Sequence, residues 1–551
     1  MKPENQPNEL NKDLDIIIVG AGAAGAAAAW RLASCGLKVA CLERGDWQKD
    51  GDFPANETDW EIKRQTCWSP NPTQRRLTFD LQIDAEDSEI KPLMYSAVGG
   101  STIMWSCHFP RFHPSDFCTR TMDGVGEDWP ISYQDLLPYY QLNEKMMGVS
   151  GLSGNTAYPI DAPHRLPPLP LSEGAKRIAN AFNELGWSWW PAEMAVNSQP
   201  YGSERGQCNH CGPCELNCPH KAKASTDITY WPLAIKAGAR LFTKTRVTKI
   251  LTDSSSSVSG VLYLDRTGKE ERLLAPRVLL ACNAVGSARL LKLSADKTQH
   301  KGLANKSSLV GKNLMLHPLA RVSGLFEDLV EGHKGISAGS FVSHHFYETD
   351  RKRDFKRGFK MQALGTHGPA LTASGSMGRR IAWGNNHHND FLRHFGHVYS
   401  LSICSDDMPD LANQVVLSET NIADDGLPAA RMIYKTPVSA KKALKMGMKM
   451  AKKALLQAGC YETFDSPSLP EAGFHLMGTA RMGNNPEKSV LNKWCETHDV
   501  QGLFVIDGSA FVTAAAVNPT NTIQAIALRT CLLYTSPSPR DLSTSRMPSS
   551  A

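Results

Sequence analysis

The chain has no apolar run near the roughly 18–20 residues that a membrane-spanning helix needs, so no transmembrane segment of its own is expected. Its first fourteen residues, Met1 to Leu14, are polar. They lack the basic start, apolar middle and small-residue cleavage site of a secretory signal. On that basis the location stays open between the cytoplasm and export. Neither sign of charge prevails. A net charge of +5 over 551 residues gives nucleic-acid binding no support, and the one basic stretch, Arg351 to Arg357, reads as a solvated loop. No internal repeat is visible. The 14 cysteines are not distributed as a disulfide framework would spread them; ten are scattered, and four crowd between Cys208 and Cys218. What remains is an ordinary globular composition, 41% hydrophobic and 21% charged, long enough for two to four domains or two large interleaved ones.

The first strongly patterned segment is Asp15-Ile16-Ile17-Ile18-Val19, a short β-branched run. Gly20-Ala21-Gly22-Ala23-Ala24-Gly25 follows at once, then an Ala-rich helical stretch to Ser34, then a second strand, Lys38 to Leu42, ending on Glu43. A Gly-x-Gly-x-x-Gly alone is a weak signal; between a strand and a helix, with an acidic residue at the next strand end, it is a strong one. Gly20 permits the tight turn, Gly22 lets the backbone approach a pyrophosphate, and Gly25 lets helix and strand pack closely. The helix N-terminus offers free N–H groups and the positive end of a dipole to phosphates. Glu43 stands where a carboxylate holds the adenosine ribose. FAD and NAD both use this turn.

Further strands are expected at Val247–Leu251, Val258–Leu264, Val278–Ala281 and Gly502–Asp507, a helix over Val438–Ala458, and another from about Thr520. Gly447, on the apolar face of the Val438 helix, counts against that helix. From Cys531 to Ala551 the chain changes character to Ser, Pro and Arg. It reads as a non-native tail and is left out of the fold.

Cys208-Asn209-His210-Cys211-Gly212-Pro213-Cys214-Glu215-Leu216-Asn217-Cys218-Pro219 has the spacing C-x2-C-x2-C-x3-C-P of bacterial ferredoxins. An iron–sulfur cluster on Cys208, Cys211, Cys214 and Cys218 is the leading reading. Zinc, which favours paired knuckles separated by a longer loop, and plain thiols or disulfides are the alternatives.

Up to about Thr530 the chain resembles the glucose–methanol–choline (GMC) oxidoreductase family. The resemblance rests on Val98-Gly99-Gly100-Ser101-Thr102-Ile103-Met104-Trp105, Asp128-Trp129-Pro130, Thr245-Arg246-Val247, Ala281-Cys282-Asn283-Ala284-Val285-Gly286, Val310-Gly311-Lys312-Asn313-Leu314 with His317, His475-Leu476-Met477-Gly478-Thr479, Val505-Ile506-Asp507-Gly508-Ser509 and Asn518-Pro519-Thr520. Within the family it runs toward bacterial sugar and gluconate dehydrogenase subunits and toward pyranose oxidases. It implies an α/β protein, a Rossmann-like FAD-binding domain interleaved with an α+β substrate-binding domain. The FAD-binding part is expected at 12–50, 93–113, 200–318 and 466–530, and the substrate-binding part and cap at 51–92, 114–199 and 319–465.

The same resemblance implies FAD as cofactor, held by Gly20, Gly22, Gly25, Glu43, Gly99, Gly100, Ser101, Met104, Val247, Asp507, Gly508 and Thr520, with Ser509 and Asn521 beside them. Pyranose oxidases carry a covalently linked His where Met104 stands, so dissociable FAD is expected. It implies His475 as general base and Asn518 as its partner, with His317 bracing the site. It implies oxidation of a CH–OH group of a sugar, polyol or aldonic acid, with electrons leaving through a [3Fe–4S] or [4Fe–4S] cluster; sugar dehydrogenase subunits space three ligands as Cys208, Cys214 and Cys218 are spaced. A small chaperone-like subunit and a cytochrome acceptor are the implied partners. The alternative is an oxidase that releases hydrogen peroxide, with structural cysteines. The region 320–465, which would select the substrate, shows no residue pattern from which a substrate can be read.

Overall fold

The computed structural model describes residues 14–160, 166–296, 299–336, 339–365, 368–375 and 381–535. Two sheets dominate. The first is five-stranded and parallel, in the order Leu503–Val505, Val278–Leu280, Ile16–Val19, Val39–Leu42, Arg240–Phe242. Its central strands are buried along their whole length, as a parallel sheet covered on both faces requires. The helix Ala23–Ala33 packs its small side chains, Ala24 to Ala29, into the core. The chain leaves the central strand, Ile16–Val19, with Val39–Leu42 on one side and Val278–Leu280 on the other, so its C-terminal end is a topological switch point where open α/β sheets bind ligands.

The second sheet is six-stranded and antiparallel: Glu462–Ser466, Leu319–Leu325, Val398–Ser405, Phe359–Leu364, Phe341–Ser343, Trp190–Pro191. Its strands alternate. Phe359, Met361, Ala363, Leu401, Ile403, Ala320 and Val322 join one apolar cluster with the helix Val438–Gln457. The residues between them point to the opposite face, as the two-residue period of a strand dictates. The Val438 helix forms as its spacing predicts, and Gly447 belongs to it for a packing reason. A Cβ there would lie 2.5 Å from Ile403 Cγ2, so the missing side chain is what lets helix and sheet approach. The mixed α/β fold is the one expected.

Two expectations need correction. Arg351 to Arg357 is not wholly a solvated loop. Arg357 is 1% exposed, its guanidinium pairing with Asp116, with Asp406 at 2.9 Å and with Asp123 at 3.2 Å. A buried cation needs such partners, and they come from segments far apart in the sequence. Nor does the fold stop at Thr530: Cys531 is buried and Leu532–Thr535 adds a further helical turn. Residues 536–551 of the expected tail, and most of Met1 to Leu14, lie outside the described residues. Among the described residues no helix is long and apolar enough to cross a membrane.

Candidate active site

One cavity of about 780 Å³ runs from the switch point of the parallel sheet to the polar face of the antiparallel sheet, within the roughly 300–1,000 Å³ of ligand sites. Its two ends are built differently.

The switch-point end is made of backbone. Gly20 has φ +102°, and a Cβ there would meet the Ala281 carbonyl oxygen at 2.6 Å. A Cβ on Gly25 would fall 1.9 Å from the Gly20 carbonyl oxygen, and one on Gly100, itself at φ +54°, would fall 2.8 Å from Gly22 Cα. These glycines interlock, leaving a cradle along Gly22 and Gly100. No side chain caps the helix that starts there, so its first N–H groups are free for phosphate oxygens. Glu43 is buried at the end of the second strand and lines the cavity. It accepts hydrogen bonds from Ala21 N at 2.7 Å and Gly45 N at 2.8 Å. Burial pushes its pKa up, and the backbone N–H groups oppose that rise. The cradle fits the diphosphate and ribose of a dinucleotide.

Of the twelve residues expected to contact the cofactor, ten line the cavity: Gly20, Gly22, Glu43, Gly100, Ser101, Met104, Val247, Asp507, Gly508 and Thr520. Gly25 and Gly99 stand behind them; Gly99 N donates to Ala21 O at 3.0 Å and ties the two glycine turns together. Asp507 is held inside the protein by Ser509, whose N and Oγ donate to it at 2.8 and 2.5 Å, and by Ser287 Oγ at 2.6 Å. Ser509 itself therefore turns inward. Asn521 also turns away, its amide nitrogen 3.3 Å from Glu144 Oε1.

The other end is made of side chains. His475 Nδ1 lies 2.9 Å from His317 Nδ1, and His317 Nε2 lies 3.0 and 2.9 Å from the carbonyl oxygens of Ala514 and Ala515. Two carbonyls can only accept, so His317 carries its proton on Nε2 and accepts at Nδ1. His475 must then donate from Nδ1, which leaves Nε2 as a lone pair facing the cavity. Asn518 Nδ2 donates to that nitrogen at 3.3 Å. Burial, then the neighbouring His317 and Lys360, holds the His475 pKa well below 6.5. The imidazole is neutral, and its Nε2 lone pair, which accepts the long Asn518 bond, can take a proton. The expected pair is thus brought together, and His317 orients it.

The sequence reading missed Lys360. It lines the same cavity, is 1% exposed, and donates through Nζ to Asn518 Oδ1 at 2.6 Å. That bond fixes which way the Asn518 amide faces. Burial pulls the Lys360 pKa down to about 8, with Cys404 and Glu193 acting against the shift. His108, also missed, lines the cavity. Asn518 lies near enough to favour its charged form, yet among the described residues neither ring nitrogen reaches hydrogen-bond geometry with a partner.

The cysteine loop forms part of the cavity wall. Gly212, Pro213, Cys214, Glu215 and Leu216 line it, and His210 N lies 3.4 Å from Cys208 Sγ. Burial raises the Cys208 thiol to about 12 and the Cys211 thiol to about 11, with the neighbouring thiols of the loop adding to each rise. The donors are of the kind a thiolate-bound cluster uses. Among the described residues, however, no three His, Cys, Asp or Glu side chains converge as a metal ion requires, so the loop as it stands does not form the expected metal site.

A glycine cradle of the dinucleotide-binding kind and a buried, neutral histidine on one cavity suit an oxidoreductase. Family models described as GMC oxidoreductase match residues 14–319 and 396–527, and the chain belongs to the GMC oxidoreductase family, whose dehydrogenases and oxidases act on CH–OH groups with FAD. Among curated relatives, it is 38% identical to 2-methyl-1,2-propanediol dehydrogenase of Mycolicibacterium austroafricanum, over 94% of each chain. It is 27% identical to the fructose dehydrogenase large subunit of Gluconobacter japonicus, over 94% of this chain and 96% of that one. To the gluconate 2-dehydrogenase flavoprotein of Pantoea cypripedii it is 26% identical, over 94% and 93%. Among solved structures, pyridoxine 4-oxidase from Mesorbium loti superposes with a TM-score of 0.67 at 16% identity, covering 95% of this chain and 99% of that one; that likeness is one of fold.

Proposed function

We propose that the protein oxidises a CH–OH group of a sugar, polyol or aldonic acid, with His475 as the general base and Asn518 holding the substrate oxygen. The observation that carries this is the tautomer chain Ala514/Ala515–His317–His475, which leaves His475 Nε2 unprotonated at the same cavity as the dinucleotide cradle. When bound, FAD supplies the two-electron acceptor for the carbon's hydride. Gly20, Gly22 and Glu43 would hold its adenosine and diphosphate, the loop of Gly100, Ser101 and Met104 would lie over its flavin ring and pyrophosphate, Asp507 and Gly508 would hold its diphosphate and ribityl chain, and Thr520 would face the flavin edge. His475 takes the hydroxyl proton on Nε2, the usual task of a positioned imidazole near neutral pH. Asn518, its amide direction set by Lys360, holds the oxygen so that the carbon faces the acceptor. Met104 offers no covalent link, so the flavin should be released by acid.

The finer reading is a dehydrogenase in which Cys208, Cys211, Cys214 and Cys218 would draw together around an iron–sulfur cluster, which would supply one-electron transfer toward a protein acceptor, with a small partner subunit. Its supports are the ferredoxin spacing and the place of Cys214 on the cavity wall. A cluster would accept electrons singly from the reduced cofactor, which an oxidase has no need to do. The test is anaerobic reduction of bound flavin by a panel of sugars, polyols and aldonic acids, preceded by iron and acid-labile sulfide assays on anaerobically purified protein. Bleaching of the flavin by members of the panel supports the activity, and no bleaching by any overturns it. Iron-free, flavin-loaded enzyme whose peroxide yield equals the substrate consumed overturns the cluster and leaves an oxidase.

A further inference from the structure

The antiparallel sheet presents an ordered polar floor to the cavity. Residues that pair across its strands form two rows. Leu319, Cys404 and Lys360 make one row, and Arg321, Ser402 and Gln362 the next; all six line the cavity. Strands about 4.8 Å apart, and about 6.8 Å between same-face neighbours along a strand, put Lys360 and Arg321 at opposite corners of this floor. Among the described residues, neither cation has a carboxylate at ion-pair distance. Lys360 holds the Asn518 amide, and Cys404 and Glu193 reach it only as charges. Arg321 feels Glu215 and Arg64 in the same distant way. Among the described residues, Arg321 Nε has no hydrogen-bond partner, and neither nitrogen of His108 has one. Such buried groups need partners.

The carboxylates on the cavity wall do not supply them. Glu43 and Asp507 belong to the cradle end and are bonded there. Glu215 pairs with Arg64 and reaches Arg321 only as a charge. Glu471 is exposed and accepts from Gln74. Glu193, which is not on the cavity wall, acts on Lys360 at longer range, and its own pKa is raised to about 7 by burial.

We propose that this floor selects substrate by charge: the reacting alcohol lies at Lys360, His108 and Asn518, its remaining oxygens reach across Gln362 and Ser402 to Arg321, and the site takes neutral polyhydroxylated or carboxylate-bearing alcohols while rejecting those that carry an ammonium group. The inference rests on the proposed oxidation of a CH–OH group. An ammonium on this floor would face two cations, neither of which has a carboxylate in ion-pair contact among the described residues, whereas hydroxyl or carboxylate oxygens would satisfy the open donors. Like charges brought together in a desolvated site are costly. Lys360 would also favour loss of the hydroxyl proton, since a nearby cation stabilises the oxygen's developing charge.

The test uses the FAD-loaded full chain and three probes that share one CH2OH–CHOH unit: glycerol, glycerate and aminopropanediol. Anaerobic flavin reduction gives a rate constant and an apparent dissociation constant for each. Wild type should reduce with glycerol and glycerate and discriminate against aminopropanediol by about tenfold or more. Lys360 also positions Asn518, so Lys360→Met will slow every probe. The ratio between probes within one variant cancels that common loss, and it should shrink toward unity. Arg321→Gln, which does not touch Asn518, should shrink it too, mainly through the dissociation constant of glycerate; this variant carries the test if Lys360→Met fails to retain FAD. Aminopropanediol reducing as well as glycerol, or ratios unchanged in the folded variants, overturns the charge selection alone. No reduction by any of these probes or by the wider panel overturns the oxidation itself.

Discussion

The two ends of the cavity differ in what builds them. At the switch point the shape is set by absent side chains: Gly20, Gly25 and Gly100 bring backbones together at distances that no Cβ allows. At the antiparallel sheet it is set by side chains whose meeting depends on register, Lys360 beside Cys404 and Gln362 beside Ser402. A backbone-made site is local and generic, serving a cofactor that many proteins share. A register-made site is assembled from distant segments and can vary while the fold stays the same.

The sharpest way to break the first end without touching the second is Gly25→Ala. Its methyl would need the space of the Gly20 carbonyl oxygen, 1.9 Å away. Overpacking of this kind costs typically about 1–3 kcal/mol, and here the obstacle is backbone. The purified variant should lack the yellow flavin absorbance and melt at lower temperature. A variant that binds FAD with wild-type affinity would show that this turn does not form the cradle.

That contrast also explains what could be read in advance. The glycine turn, Glu43 and the helix over Val438–Gln457 rest on spacings within a few dozen residues, and they were legible. So were His475 and Asn518, through family phrases. Lys360, Arg321 and Gln362 were not. The signal was there, in the alternation Phe359-Lys360-Met361-Gln362-Ala363 and Tyr399-Ser400-Leu401-Ser402-Ile403, which is the two-residue period of a half-buried strand. What alternation cannot tell is which strands will be neighbours, and only that places Lys360 against Asn518. Arg357 misled for the same reason, since its carboxylate partners lie far along the chain.

A milder perturbation separates orientation from chemistry. His317→Leu removes the acceptor for His475 Nδ1–H, so the wrong tautomer can form. Flavin reduction should slow, though less than on loss of His475, with FAD retained. The pH profile should move in a definite direction. With His475 as the proposed neutral base, activity should be lost as pH falls through its pKa. That pKa is held down by burial first and by His317 second, so removing His317 should carry the acid limb to higher pH. His317→Gln, which keeps an acceptor, should recover part of the rate. An unchanged profile in both variants would remove His317 from the site's chemistry.

The smallest expected effect on the alcohol step is at the cysteine loop. Cys218→Ser should leave flavin reduction by substrate near wild type, because His475 and Asn518 are untouched, while electron delivery to a protein acceptor or an electrode collapses. Small dyes that reach the flavin directly do not report this step. Equal losses in both steps would mean that the loop supports the cavity and carries no electrons, and folding is checked by flavin content and melting temperature.

The proposed chemistry depends most on His475, and anaerobic stopped-flow reduction of the flavin in His475→Ala tests it most directly. The variant should hold FAD as wild type does, since the cradle lies at the other end of the cavity. Reduction by the best substrate should fall by roughly 10²–10⁴-fold, the contribution of a positioned general base. A flavin-loaded His475→Ala that is reduced at near wild-type rate would contradict the assignment of His475 as that base.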